Sequence, residues 1–163
     1  MKFKTLIKIG TLAVLGALAV ASLAGCAKEP DALAIVGYNY TDRAIADFSV
    51  NGAGGGSLEL SMPTGGGGGI VCCVALSRHT KTPFWVDVEY RKDALESYPP
   101  RKVVEPAGAY IKTKVQITGE IPSDPAYLEI HFYPDGHIEG AISGKDGPSP
   151  PRLKLERRFP SVR

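Results

Sequence analysis

Two adjacent cysteines, Cys72 and Cys73, end a stretch from Asn51 to Leu76 that reads NGAGGGSLELSMPTGGGGGIVCCVAL. Paired thiols can form a disulfide or exchange electrons with another thiol. Consecutive Cα atoms lie about 3.8 Å apart across a trans peptide, whereas ordinary disulfides need about 4.4–6.8 Å. Side chains of neighbouring strand residues also point to opposite faces. This geometry favours two buried thiols, packed as small hydrophobes, over a vicinal disulfide. A redox role is the weaker reading, because no Cys-x-x-Cys or helix start is present to lower a thiol pKa.

The same stretch holds nine of the nineteen glycines, at Gly52, Gly54–Gly56 and Gly65–Gly69. A phosphate loop would need Lys-Ser or Lys-Thr after its last glycine, and Ile70-Val71 stands there instead. No Gly-x-Gly-x-x-Gly fingerprint fits, and neither cluster opens a helical pattern, so no nucleotide site is assigned. The glycines read either as turns and bulges or as hinges of an adaptable partner-binding loop. The residues of that loop are Gly52, Gly54, Gly55, Gly56, Leu58, Leu60, Met62, Gly65 and Gly69. His131, His137 and Glu139 fall on one face of a C-terminal hairpin, with His131 opposite Glu139. On a solvated face, cross-strand polar pairing is the commoner arrangement, so no metal site is assigned. Ser77 and His79 have no Gly-x-Ser-x-Gly elbow to support them. No catalytic residue, metal or cofactor is assigned, and the chain reads as a non-enzyme.

The N-terminus carries its own chemistry. Lys2, Lys4 and Lys8 precede an apolar run from Ile9 to Ala24, the pattern of a secretory signal. The run ends in Leu23-Ala24-Gly25-Cys26, which resembles the lipobox of bacterial lipoproteins. The resemblance implies cleavage before Cys26 and a diacylglycerol on its sulfur. Ala27, rather than Asp, follows the cysteine, and lipoprotein sorting then implies the periplasmic face of the outer membrane. Without residues 1–25, sixteen basic residues stand against seventeen acidic ones. The basic balance belongs to the leader, so it gives no support to nucleic-acid binding.

Four segments follow: a signal peptide over 1–25, a lipidated tether over 26–32, a β domain over 33–145 and a Pro/Arg-rich tail over 146–163. Short alternating runs predict strands at Leu33–Tyr40, Ala44–Val50, Ile70–Leu76, Phe84–Arg91 and Tyr110–Thr118. Ile70–Leu76, apolar on both faces, reads as a central, doubly covered strand. Asp93 caps a single helical turn through Tyr98, stopped by Pro99-Pro100. The last hairpin can be registered. A three-residue loop at Pro134-Asp135-Gly136 pairs Phe132 with Ile138 and Leu128 with Ile142, keeping one face apolar. Arg152–Phe159 is either a final edge strand or a solvated tail. About seven short strands and little helix predict an antiparallel β-sandwich.

Several stretches together resemble the domain-of-unknown-function 3304 lipoproteins of Gram-negative bacteria. They are Gly37-Tyr38-Asn39-Tyr40-Thr41-Asp42-Arg43, Phe48-Ser49-Val50-Asn51-Gly52-Ala53-Gly54-Gly55, Gly66-Gly67-Gly68-Gly69-Ile70-Val71-Cys72-Cys73-Val74 and Leu128-Glu129-Ile130-His131-Phe132 with its Pro134-Asp135-Gly136 turn. Members of that family often accompany type VI secretion lipase effectors. The resemblance therefore implies an immunity protein whose partner is a secreted lipase, with a structural or adaptor lipoprotein of the secretion machinery as the alternative.

Overall fold

A computed structural model describes residues 29–97 and 99–155. The expected signal peptide and lipidation site, Cys26, lie outside the described residues, as do Tyr98 and residues 156–163. Ten strands follow in chain order: β1 Asp31–Asn39, β2 Ile45–Val50, β3 Ala53–Leu58, β4 Gly67–Leu76, β5 Phe84–Lys92, β6 Leu95–Ser97, β7 Lys102–Glu105, β8 Ile111–Ile117, β9 Pro125–Phe132 and β10 Ile138–Gly144. No helix occurs among the described residues. The expected all-β class holds, but the sandwich does not. Eight strands close into a barrel in the order β1-β4-β3-β2-β5-β8-β10-β9, and β6 and β7 form a separate two-stranded arm.

Closure depends on pairings that local alternation cannot reveal. β1 pairs with β4 on one edge and, in parallel, with β9 on the other, from Ala34 opposite Tyr127 to Asn39 opposite Phe132. β8 meets β10 in parallel through Gly140 and Ile117. Closing the sheet removes the free edges a sandwich would leave. The local pairings match expectation. Phe132 faces Ile138 and Leu128 faces Ile142. The Tyr133 N–H donates to His137 O and the Gly136 N–H to Tyr133 O, with Gly136 at φ 89°.

The barrel interior is filled by residues such as Leu33, Ile35, Phe48, Val50, Val86, Val88, Tyr90, Val115, Leu128, Ile130 and Phe132. Phe132 meets Phe48 edge-on at 5.6 Å and tilts against Tyr90 at 5.1 Å between ring centroids. A register shift after Ile45 lets that residue point inward with Phe48 and Val50, although strict alternation would separate them.

Four expectations are corrected. The doubly covered strands are β1 and β9, not β4. Ile70 is 58% exposed, Cys72 is exposed, and only Val74 and Leu76 of β4 reach the core. The reason is a register shift between Leu33 and Ile35: three residues of β4 advance against two of β1, and the face alternation breaks at Cys72 and Cys73. Those cysteines are not buried thiols but are joined to each other across a cis peptide. Leu95–Ser97, expected as a helical turn, is a strand, because pairing with the β-branched Lys102–Glu105 run satisfies its backbone. Finally, Asp31 and Ala32 belong to β1 rather than to a tether.

The supposedly flexible glycine loop is largely barrel wall. Asn51 and Gly52 make a hairpin turn with both φ angles positive, and β3 pairs with β2 and β4. Gly55 lies against the Phe48 ring, where a Cβ would overlap ring carbons, whereas Gly54 faces open space. Replacing Gly55 with Ala should therefore cost about 1–3 kcal/mol by overpacking. Gly54→Ala should change stability by less than about 0.5 kcal/mol, with urea denaturation as the measurement for both.

Candidate functional site

The strand directions give the barrel two distinct ends. β1 enters at Asp31, beside Leu76 and Ser77, so the chain leading to Cys26 emerges there. The turns Thr41–Ala44 and Glu59–Gly66, the segment Asp93–Tyr110 and the Tyr133–His137 turn all lie at the opposite end. Among the described residues, seven large hydrophobics are exposed: Met62, Ile70, Trp85, Val103, Val104, Tyr110 and Ile111. Met62, Val103, Val104, Tyr110 and Ile111 stand at the far end, Ile70 in the half of the barrel nearer to it, and Trp85 towards the end where β1 begins.

The β6–β7 arm has little to cover it. Residues 101–112 are exposed without interruption, and all four side chains of β7 face solvent. Arg43 Nη1 ties the arm to the barrel through Glu105 Oε2 at 2.5 Å, and the Gly108 N–H donates to Lys92 O. Tyr110 lies under the Arg91 guanidinium, 5.0 Å from its ring centroid. An ordered backbone carrying uncovered valines is what a protein-binding surface needs, since aliphatic and aromatic groups exposed together gain most from burial by a partner.

Asn39 organises this end. It is fully buried, its Nδ2 donates to Arg43 O and Leu58 O, and its Oδ1 accepts from the Thr41 backbone and hydroxyl. Its own N–H donates to Ser61 Oγ, and Ser61 donates in turn to Gly66 O. Met62 and Gly65 close a bridge around Pro63-Thr64. The turn carrying Met62 is therefore latched rather than loose. Of the expected loop residues, Leu58 is core, Gly54–Gly56 are strand, Gly69 is the third residue of β4, Leu60 and Gly65 are half-buried, and Met62 remains on display. The arm, Val103, Val104, Tyr110 and Ile111 were not singled out from sequence. The adjacent Val103-Val104 beside Arg101-Lys102 was the available signal.

A second cluster lies under the C-terminal segment. Glu129 and His131, expected on a solvated face, are both 0% exposed. They are covered because residues 149–155 strap across the outer face of β1 and β9, with Leu153 and Leu155 packing against Val36, Tyr38 and Tyr40. The His131 Nε2–H donates to Glu129 Oε2 at 3.3 Å, which leaves Nδ1 to accept from Tyr40 Oη at 3.1 Å. The Arg152 N–H donates to Tyr40 Oη and the Ser149 N–H to Glu129 Oε1, while the Tyr38 hydroxyl donates to Ser149 O. Tyr38 also stacks on His131 at 4.4 Å. His137, the expected neighbour of His131, is instead paired with Asp135 and stacked on Tyr133.

Burial opposes the Glu129 charge, but hydrogen bonds from His131 and Ser149 outweigh it and hold the carboxyl down at about 2. Burial lowers the His131 pKa, so the pair is a carboxylate beside a neutral imidazole. Both shifts are downward, so both groups bind more protons in the unfolded chain, and the stability they contribute is lost as pH falls. Urea midpoints should fall as the pH drops below 6.5, where unfolded His131 begins to protonate, and further between 4.5 and about 2, where Glu129 titrates. Glu129→Gln should reduce the lower part of that dependence, leaving the share that belongs to Asp42 and Asp135.

No curated protein and no solved structure matches the chain. The profile of the family described as "Protein of unknown function (DUF3304)" matches residues 38–139, from Tyr38 in β1 to Glu139 in β10. That span exceeds half of the chain and includes β2 through β9 complete, together with the Asn39 hub, the arm, the bridged cysteines and the Glu129–His131 pair. The chain belongs to the DUF3304 family.

Proposed function

We propose that this protein is a lipid-anchored envelope lipoprotein that binds and neutralises a type VI secretion phospholipase effector. The observation that carries the reading is the polarity of the barrel. The apolar, uncovered side chains Met62, Val103, Val104, Tyr110 and Ile111 stand at the end opposite the one from which the chain leads to Cys26. With Cys26 lipidated at the periplasmic face of the outer membrane, that end points away from the bilayer that holds the protein. It is then free to meet a soluble partner.

Lipid chemistry supplies the match. A phospholipase must admit acyl chains, so its active-site entrance has an apolar rim, and such a rim complements a narrow arm of valines. Covering that entrance requires no catalytic group from this chain. Tethering keeps the inhibitor at high effective concentration where the effector attacks. The association of the resembling lipoproteins with lipase effectors supports the same partner class.

The test is co-purification with a candidate lipase effector, a lipase encoded next to this gene being the first choice where there is one, followed by phospholipid hydrolysis with and without this protein. Wild type should bind and inhibit. Val103→Asp with Val104→Asp should weaken binding by about 2–4 kcal/mol, the range of hot-spot losses, with the melting temperature unchanged. Binding and inhibition that survive the double substitution would remove the arm from the interface. Failure of the wild-type protein to bind would remove the immunity reading itself, and binding without inhibition would favour an adaptor.

A further inference from the structure

The bridge between Cys72 and Cys73 does not do what structural disulfides do. A disulfide stabilises chiefly by closing a loop in the unfolded chain, and the gain grows with the length of that loop. Here the sequence separation is one, so the bond ties no distant segments together. It is not shielded either: Cys72 is exposed and Cys73 half-buried on the barrel wall. Exposed disulfides are the ones that thiols can attack, because exchange requires a thiolate to reach a sulfur from outside.

Its position in the sheet is specific. Leu33 faces Val74 and Ile35 faces Val71, so Ala34 alone stands opposite the two cysteines. The bridge thus spans one of the two extra residues that β4 carries against β1. β1 is the strand through which the barrel closes, since its other edge carries β9. From the bulge, β4 runs back to Gly67, whose carbonyl accepts from the Glu59 N–H at the start of the Met62 turn.

We propose that Cys72–Cys73 is a thiol-exchange site whose opening by a dithiol reductant loosens the β1–β4 seam. The reductant's thiolate attacks one sulfur and breaks the Sγ–Sγ bond, forming a mixed disulfide and releasing the other cysteine as a thiol. The reductant's second thiol then displaces the first cysteine. Two electrons and two protons pass to Cys72 and Cys73, and the reductant leaves as its own disulfide. Freed of the bridge, that extra residue of β4 is no longer held in one bulge geometry. The inference stands apart from partner binding and needs no effector.

Dithiothreitol, added to the folded mature protein and followed by alkylation and mass measurement, should label both cysteines without denaturant. Hydrogen exchange should then rise about tenfold across Gly67–Leu76 and Asp31–Asn39, while β5 and β8 keep their protection. The Cys72→Ser/Cys73→Ser variant should show the same raised exchange with no reductant present. The proposal is overturned if both cysteines alkylate before reductant is added, or if the bridge opens only where the whole chain unfolds. It is overturned equally if the reduced protein or the double variant exchanges as slowly as the oxidised one.

Discussion

The fold depends on one strand having no free edge and no bare face. β1 is hydrogen-bonded to β4 on one side and to β9 on the other, and from Ile35 to Asn39 every residue is buried. Its inward residues Leu33 and Ile35 fill the barrel, while Val36, Tyr38 and Tyr40 face the strap over the outer wall. The parallel pairing with β9 joins the start of the domain to its end, so the barrel cannot close until most of the chain is in place. Non-local pairing of this kind is slow to form, because loop-closure entropy is lost before the contacts form.

Burying a carboxylate beneath that strap is costly unless every lone pair is satisfied. Glu129 offsets part of that cost with one donor on each carboxylate oxygen, His131 on its own strand to Oε2 and the Ser149 backbone on the strap to Oε1. The arrangement also chooses the imidazole tautomer, since donation from Nε2 to the carboxylate leaves Nδ1 to accept from Tyr40. Arg152 extends the set by holding Tyr40 with its backbone N–H and Glu139 with its guanidinium. The strap is therefore sewn down by polar groups as well as by Leu153 and Leu155. A hydrogen-bonded polar network specifies one docking position in a way that two leucines alone would not.

The two ends of the barrel have different characters for reasons that lie in the connections. At the end where β1 begins, the cleft between Arg78, Thr80, Asp124 and Lys145 is polar, and Arg78 pairs with Asp31 at 2.9 Å. At the other end, a buried asparagine replaces a hydrophobic plug and uses its amide to hold two turns in place. The arm projects from that rigid base. Its valines are left uncovered because β6 and β7 pair only with each other.

What the sequence determined by itself is local. The β9–β10 register, the turn at Pro134-Asp135-Gly136, the faces of β5 and the break at Asn51-Gly52 all follow from alternation and turn chemistry over fewer than about fifteen residues. Membership of the DUF3304 family was also legible, through the glycine block, the paired cysteines and the Leu128–Phe132 run. Tertiary structure decided the rest. Whether a sheet closes depends on which distant edges meet, so barrel and sandwich share one local pattern. His131 and Glu129 look like solvated residues until a strap some twenty residues later covers them. The paired cysteines join, and Ile70 turns outward, because β4 inserts a residue opposite Ala34 that β1 cannot match. Alternation within a single strand contains no record of the strand beside it.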